Sequence, residues 1–255
     1  MKKQYTIDDL RDILVTLRGE NGCPWDKVQT HESIKKDMIE EAYEALDALS
    51  KGDDQAFANE LGDVLLQVVF HSRIAEERGA FNFDDVLNEI CTKLITRHTH
   101  VFGDASAKDT TEALAQWDKN KKKEKALSSY TDNLKDVPAY LPALMRAQKV
   151  QKRAAEPGFD FPDALSALCK LEEEIRELKL AISKNSNIEE EFGDVLFSAV
   201  NTGRLLGLCP ETVLSDSTEK FISRFEKLEK TATSQNTALD ALNLDEMDEI
   251  WEKIK

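Results

Sequence analysis

The chain has 255 residues, 49 acidic and 34 basic, with a formal net charge of -15 at pH 7. This negative surplus repels phosphate backbones, so nucleic acid is not expected among the partners. No uninterrupted apolar stretch approaches the roughly 20 residues of a membrane helix, and the polar N-terminal segment has no signal-peptide core, which predicts a cytoplasmic protein without membrane contact. The four cysteines form no CxxC pair and are predicted to be reduced thiols.

Apolar residues recur three and four positions apart along the chain, with little strand-like alternation, which predicts an all-α fold. The predicted helices are, in chain order, 7–18, 32–50, 54–78, 84–98, 109–126, 140–154, 162–184, 187–207, 210–232 and 245–254. The polar, turn-rich stretch SSYTDNLKDVPAYLP separates two similar halves. We therefore predict a first module at residues 1–128, a linker at 129–138 and a second module at 139–255, each with a core like a four-helix bundle.

The two halves share landmark residues at nearly constant separation, which indicates an internal duplication. The separations range from 127 to 134 residues, so helices of equal length alternate with loops of unequal length. The matched landmarks are Trp25 with Phe159, Glu41 with Glu174, Glu60 with Glu191, Lys93 with Lys220, and Trp117 with Trp251.

Acidic residues gather on one arc of the helix predicted for the segment MIEEAYEALDAL. At about 100° per residue, its apolar arc holds Ile39, Ala42, Tyr43, Leu46 and Leu49. The opposite arc holds Asp37, Glu40, Glu41 and Glu44. A solvated face usually interleaves Lys with Glu, because like charges four residues apart cost roughly a few tenths of a kcal/mol per pair. This arc contains no lysine to offset the repulsion among its acids, which favours a metal site over a solvated face.

Further acids border the apolar stripe of the next predicted helix. Glu60 and Asp63 lie beside that stripe, and the short SKGDDQ connection makes the two helices antiparallel neighbours whose acids can face each other. A divalent cation relieves the repulsion, and oxygen ligands suit Mg²⁺, with Mn²⁺ as the alternative. The second half repeats the pattern with Glu173, Glu174, Glu177, Glu191 and Asp194. Gly62 and Gly193 share one place in the two copies, which predicts close approach by a helix or ligand.

These motifs carry a family resemblance. EEAYE (40–44) with ELGD (60–63), repeated as EEIRE (173–177) with EFGD (191–194), resembles the all-α nucleoside triphosphate pyrophosphohydrolases of the MazG type. NGCPWD, RHTHVF and LPALMRAQKVQKRA extend the resemblance over nearly the whole chain. It implies a homodimer of tandem MazG-like modules that hydrolyses ribo- and deoxynucleoside triphosphates, ATP among them, to the monophosphate and pyrophosphate with Mg²⁺.

The resemblance also implies roles for the carboxylates. By motif position, the metal ligands of the second module are Glu174, Glu177, Glu191 and Asp194. Their counterparts in the first module are Glu41, Glu44, Glu60 and Asp63. Glu173, Glu174 and Glu177 form the predicted catalytic group, in which Glu173, like Glu40 in the first module, is the spare carboxylate that could accept a proton from the attacking water. Which carboxylate acts as the base stays open.

A triphosphate site also needs cations and a surface for the base. Lys170 lies one turn before the second acidic pair, whereas its counterpart Asp37 has the wrong sign for phosphate. The predicted substrate-binding residues are Lys170, Lys220, Arg224, Trp251 and Lys255: the cations for phosphate and the indole for stacking on a base. The first module keeps the analogous Lys93, Arg97 and Trp117. The positive charge of Lys170, where the first module has the negative Asp37, predicts that the second module is the principal catalyst.

Three other interpretations compete with this one. A housecleaning hydrolase selective for modified nucleotides would share the same carboxylates, because base choice depends on a pocket wall that the motifs do not specify. A non-enzymatic acidic helical adaptor gives no reason for the matched lysine, arginine and tryptophan landmarks. A di-iron bundle requires Glu-x-x-His pairs, and none precedes the four histidines.

Overall fold

The computed structural model describes residues 4–124, 129–235 and 237–254. All regular structure within these residues is helical, which confirms the all-α prediction. The chain divides into two compact units, Met1–Lys125 and Ala126–Lys255. None of the described helices combines the length and apolar composition needed to cross a membrane.

The described part of the N-terminal unit contains seven helices. They are α1 (Ile7–Arg18), α2 (Pro24–Val28), α3 (Asp37–Ser50), α4 (Asp54–Glu77), α5 (Phe83–Arg97), α6 (Thr99–Phe102) and α7 (Thr110–Glu124). Short polar side chains fix several starts, because they accept hydrogen bonds from the first backbone N–H groups. Thr6 and Asn82 each form a capping box, and Asp53 accepts from the N–H groups of Gln55 and Ala56.

Two features of this unit differ from the prediction. α3 begins at Asp37 rather than at residue 32, because Thr30 and Ser33 exchange side chain to backbone hydrogen bonds that hold the preceding residues in turns. The short helices α2 and α6 were not predicted, since segments of five and four residues show no helical periodicity.

The core of the N-terminal unit lies around the C-terminal half of α4. Its buried members are Leu14, Ile34, Val69, Phe70, Ile74 and Phe83. By contrast, α3 buries only the small residues Ala45 and Ala48. The apolar arc of α3 is exposed, with Tyr43 at 45% and Leu46 at 52%. This unit therefore leaves much of its apolar surface uncovered.

Arg18 ties α1 to two other parts of the N-terminal unit. Its guanidinium donates to both carboxylate oxygens of Glu77 on α4, at 2.9 and 2.7 Å. It also donates to the backbone carbonyls of Asp26 and Gln29, around the end of α2. Only 5% of the side chain is exposed, and the guanidinium lies 5.3 Å from the centre of the Phe70 ring. One buried cation thus holds the end of α2, the short helix that contains Trp25, against the core.

The described part of the C-terminal unit contains six α-helices and a 3₁₀ turn. The helices are α8 (Tyr130–Lys135), α9 (Ala143–Ala155), α10 (Ala164–Lys184), α11 (Ile188–Leu205), α12 (Pro210–Ser234) and α13 (Leu244–Ile254), and the turn is Leu239–Ala241. α8 lies within the segment predicted as the linker, and it packs on α9. Arg153 of α9 donates to the Asn133 carbonyl and to Asp136, and Asn133 donates to Glu156.

A tight connection sets α10 and α11 side by side. Asn185 and Asn187 have φ values of 50° and 57°, in the left-handed region that asparagine tolerates better than most residues. The chain therefore reverses direction within three residues, and the two long helices pack antiparallel. This reversal places the C-terminal half of α10 opposite the first turns of α11.

Within each unit, no neighbouring helix approaches Gly62 or Gly193 closely, whereas approach by a ligand stays a prediction. A Cβ built at either position meets no atom within 4 Å. Both residues lie on exposed stretches of α4 and α11, so no neighbouring helix of the same unit needs the missing side chain.

Candidate active site

Three carboxylates converge between α10 and α11. Glu174 on α10 is only 6% exposed, and Glu191 with Asp194 lies on the first two turns of α11. Carboxylate oxygens of the three residues lie within 4.8 Å of one another. The three-residue spacing on α11 puts Glu191 and Asp194 on one face, and the antiparallel packing turns that face toward Glu174. We call these three residues the C-terminal triad.

The N-terminal unit repeats this arrangement between α3 and α4. Carboxylate oxygens of Glu41, Glu60 and Asp63 also lie within 4.8 Å of one another. The duplication deduced from the sequence thus extends to the geometry of the acids. We call these residues the N-terminal triad.

Burial and crowded negative charge raise the pKa of one glutamate in each triad. Burial and then the charges of Glu177, Asp194 and Glu174 raise the pKa of Glu191 above its usual value. Burial also raises the pKa of Glu41, helped by the charges of Asp63, Glu44, Glu60 and Asp37. Oxygen ligands that repel one another fit a hard divalent cation, which removes the repulsion.

The remaining predicted ligands, Glu177 and Glu44, lie beside the triads. Each raises the pKa of a triad glutamate, so its charge is close by. Neither belongs to the set of oxygens that lie within 4.8 Å of one another. Their role as metal ligands stays a prediction.

Lys170 is hydrogen-bonded to the C-terminal triad. Its ammonium donates to Glu173 at 2.7 Å and lies 2.8 Å from a carboxylate oxygen of Glu174. The hydrogen bond and charge of Lys170 lower the pKa of Glu173. Glu173 is therefore a weaker base while it holds this lysine. In the N-terminal unit Asp37 has the opposite effect, since its charge helps to raise the pKa of Glu41.

A cavity of about 440 Å³ adjoins the C-terminal triad. Its wall includes Lys170, Glu174 and Asp194, and three phenylalanines give it an aromatic lining. The other wall residues are Val150, Gln151, Ala154, Gly158, Phe159, Asp160, Phe161, Phe197, Ser198, Asn201 and Arg204. The volume falls within the range of about 300–1,000 Å³ that is typical of small-molecule sites.

Sequence reasoning missed most of this wall. Phe159 was recognised as a landmark of the duplication but was given no role. Phe159 is 84% exposed although it lines the cavity, a position suited to an aromatic ring that stacks on a ligand. Gln151, Phe197 and Asn201 were not predicted, because Gln151 lies on α9 and meets Phe197 and Asn201 of α11 only through packing of the two helices.

The corresponding cavity of the N-terminal unit is smaller. It has a volume of about 110 Å³, a quarter of the other, and is lined by Trp25, the counterpart of Phe159. Asp37 lies in its wall, where the C-terminal cavity has Lys170. Leu14, Ile34 and Phe70 of the core fill much of the surrounding space.

Of the other predicted substrate residues, Lys220 and Arg224 lie on α12 and Trp251 lies on α13, and none of these three lines the C-terminal cavity. Within the described chain, Lys220 and Arg224 form no hydrogen bond or ion pair, so both cations are available to a ligand. Trp251 packs against Phe221, with ring centres 5.4 Å apart. Lys255 lies outside the described residues.

The equivalent cation in the N-terminal unit is already engaged. Arg97 donates to both carboxylate oxygens of Glu124, at 2.9 and 3.0 Å, and lies 5.4 Å from the centre of the Trp117 ring. The same ring has the Lys121 ammonium 4.7 Å away. Trp117 is thus covered by cations of its own unit, whereas Trp251 contacts an apolar ring.

The chain is similar throughout to known nucleotide hydrolases. A family described as the MazG nucleotide pyrophosphohydrolase domain matches residues 29–102 and 157–228, and each match contains one complete triad. The chain is 42% identical over 254 residues to the nucleoside triphosphate pyrophosphohydrolase of Escherichia coli (strain K12), covering 98% of this chain and 97% of the relative.

Two further relatives differ in how much of this chain they match. The nucleoside triphosphate pyrophosphohydrolase/pyrophosphatase MazG of Thermotoga maritima is 43% identical over 249 residues, which cover 98% of this chain and 95% of the relative. The nucleoside triphosphate pyrophosphohydrolase of Mycobacterium tuberculosis is 41% identical over 150 residues, which cover 57% of this chain and 45% of the relative.

Proposed function

Because the chain belongs to the MazG nucleotide pyrophosphohydrolase family, with two tandem copies of the domain, we propose that its C-terminal unit is the principal catalyst. The protein is an enzyme that hydrolyses nucleoside triphosphates to the monophosphate and pyrophosphate. The observation that carries the assignment to one unit is Lys170, a cation bonded to the triad at the edge of a cavity of about 440 Å³.

Three contrasts between the units support this proposal. A lysine adjoins the C-terminal triad, whereas an aspartate adjoins the N-terminal one. The C-terminal cavity has four times the volume of its counterpart. Arg224 is unpaired within the described chain, while Arg97 is held by Glu124. Each contrast favours triphosphate binding in the C-terminal unit.

The donor set supports Mg²⁺ as the cofactor. We propose that Glu174, Glu191 and Asp194 hold it, with Glu177 as a further ligand, because all four offer hard oxygen atoms. When bound, Mg²⁺ would neutralise triphosphate oxygens and lower the pKa of a water molecule. The same oxygen set could accept Mn²⁺.

Side chains of the protein bind the substrate and accept the proton. Lys170 exchanges its carboxylate partners for a phosphate oxygen, and Lys220 and Arg224 supply further positive charge. Once Lys170 turns away from Glu173, that carboxylate loses the partner that lowers its pKa and becomes a better base. Glu173 then accepts the proton of the attacking water. The aromatic cavity receives the nucleoside, and Trp251 offers a second stacking surface.

The proposed reaction is tested by products and by metal removal. Wild-type protein with ATP and Mg²⁺ is expected to release one pyrophosphate per monophosphate and no orthophosphate. EDTA should stop turnover, because the triad then has no cation to bind the triphosphate, and Mg²⁺ in excess should restore it. A coupled assay that quantifies pyrophosphate separately from orthophosphate checks both results.

A panel of canonical, deoxy and oxidised nucleotides completes that test. Comparable rates across the canonical bases fit the proposal, whereas activity confined to a modified nucleotide would point to the housecleaning alternative. Orthophosphate as the main product, or full activity in EDTA, would contradict the proposed chemistry.

We also propose that the enzyme is a homodimer whose subunits cover the exposed apolar arcs. The exposed large apolar side chains on the four helices of the triads are Met38, Ile39, Tyr43, Leu46, Leu49, Leu61, Leu65, Leu165, Leu168, Ile175, Leu180, Ile182, Ile188, Phe192, Leu196 and Phe197. Such surface is larger than soluble monomers usually leave open. Subunits of a closed dimer would bury it by symmetry.

Charge placed on this surface should break the dimer. We expect Leu65→Glu with Leu196→Glu to raise the dissociation constant at least tenfold, because burying an unpaired carboxylate costs more than about 1.4 kcal/mol. Sedimentation equilibrium measures the change. Leu244→Glu is the matched control, since Leu244 is 72% exposed but lies at the start of α13. A wild-type monomer, or equal effects of the two changes, would contradict the proposed interface.

A further inference from the structure

One wall residue of the C-terminal cavity has a hydrogen-bonding group without a partner. Gln151 on α9 is only 6% exposed, and its Oε1 finds no donor among the described residues. An unsatisfied buried acceptor has lost its hydration without gaining a hydrogen bond in exchange, so native structures contain few of them. This one therefore calls for a physical reason.

The contacts of Gln151 fix which end of its amide is free. Its Nε2 donates to the backbone carbonyl of Phe197 at 2.8 Å. A carbonyl can only accept, so the nitrogen must face Phe197 and the oxygen must point elsewhere. Gln151 thus supplies the cavity wall with an acceptor whose orientation is set by α11.

A second amide in the wall is oriented in the opposite sense. Asn201 accepts a hydrogen bond from Arg204 Nε at 2.9 Å through its Oδ1. Its nitrogen is left as a donor. Arg204 in turn is paired with Asp160, so the arrangement is held from both sides. The wall therefore carries one fixed acceptor and one fixed donor among aromatic rings.

The edge of a nucleobase has the same mixture. Adenine and cytosine offer an amino donor beside a ring acceptor, and guanine and uracil offer a ring N–H donor beside a carbonyl. We propose that Gln151 is a specificity-determining residue of the C-terminal unit, and that its Oε1 accepts a hydrogen bond from the donor on the base edge. This inference rests on the proposed function and adds the group that reads the base.

Entry of the base must be accompanied by a small movement of the wall. Oε1 is inaccessible to water, so a neighbouring side chain has to shift before a donor can reach it. One acceptor suits every canonical base, which predicts broad substrate choice and rejection of a base that lacks the donor.

The N-terminal unit shows why the acceptor alone is insufficient. Gln67 on α4 also has a buried Oε1 without a described partner, in the wall of the smaller cavity. That cavity measures about 110 Å³ and contains Asp37, so it lacks room and charge for a nucleotide.

The test compares ATP with purine riboside triphosphate, which differs only in lacking the amino group on the base. For the wild-type enzyme with Mg²⁺, we expect kcat/KM to be about tenfold higher for ATP, because the analogue leaves Oε1 unpaired. In Gln151→Leu this ratio should fall below twofold, since the leucine can pair with neither substrate. A merely structural role would slow both substrates and leave the ratio unchanged.

Gln148→Leu is the matched control. Gln148 lies on the same helix and donates its Nε2 to the Leu208 carbonyl at 2.6 Å, but it does not line the cavity. Its variant should keep the wild-type ratio. Gln151→Met provides the same comparison if the leucine variant does not fold.

The outcomes separate this inference from the proposed function. Equal rates for the two substrates in the wild type, or a wild-type ratio in the Gln151 variants, would overturn the role of Gln151. Absence of pyrophosphate release from either substrate in the wild type would instead refute the proposed function.

Discussion

Glu174→Gln is expected to lower kcat for pyrophosphate release by about a thousandfold or more, whereas Glu41→Gln should leave most of the activity. Glu174 is the most buried member of the C-terminal triad and also contacts Lys170. A neutral amide at this position would weaken the proposed metal site and release the lysine, so it would remove the electrostatic stabilisation on which phosphoryl chemistry depends. Steady-state assays of pyrophosphate release measure both variants.

Glu172→Gln is the control for the charge change. Glu172 is an exposed carboxylate on α10 that lies outside the triad, so its variant should keep nearly full activity. Thermal melting of each variant shows that the comparison is between folded proteins. Equal losses in the Glu174 and Glu41 variants would contradict the assignment of the reaction to the C-terminal unit.

Arg18→Met is expected to destabilise the N-terminal unit by about 3–5 kcal/mol. The change leaves Glu77 without its main partner and removes donors from the carbonyls of Asp26 and Gln29. Urea unfolding, followed by far-ultraviolet circular dichroism, measures the loss as a transition at lower denaturant concentration.

Arg11→Met is the matched control on the same helix. Arg11 also makes a bidentate pair, donating to Asp84 at 2.9 and 3.1 Å, but its side chain is 33% exposed. Solvent screening limits such a pair to about 1 kcal/mol or less. If the two variants lose similar amounts of stability, burial does not determine how much the Arg18–Glu77 pair stabilises the protein.

The Arg18 effect should depend on pH. The hydrogen bond from Arg18, with further help from its charge and from Arg73, lowers the pKa of Glu77 below its usual value of 4.5. A depressed carboxyl pKa gives stability that is present above the unfolded value and lost as pH falls through the folded one. The difference in the free energy of unfolding between the wild type and Arg18→Met should therefore become smaller below about pH 4.5.

The helices and the acids were predictable because both follow local rules. The periodicity of apolar residues predicted α4 and α10 closely, and the three-residue spacing of Glu191 and Asp194 placed both on one face. The short connections then required antiparallel pairs, so the convergence with Glu174 followed from the sequence. The short helices α2, α6 and α8 were missed, since segments of four to six residues show no clear helical period.

The cavity was not predictable for a different reason. Gln151, Phe159 and Asn201 come from three parts of the chain, and their meeting depends on how α9 packs against α11. No spacing rule relates residues of separate helices. The pairing of Arg97 with Glu124 has the same origin, because 27 residues separate the partners. Sequence reasoning found the charges that we propose to bind phosphate and missed the cavity wall that we propose to select the base.

The bond between Lys170 and Glu174 also bears on how the two halves tolerate magnesium shortage. A lysine that already offsets its acids serves as a built-in counter-ion, so the C-terminal half can fold and persist before any cofactor arrives. The N-terminal half has Asp37 in that place, and its acids gain no such relief. Under cation starvation we therefore expect the N-terminal half to loosen first, while the half that we propose as the principal catalyst stays folded.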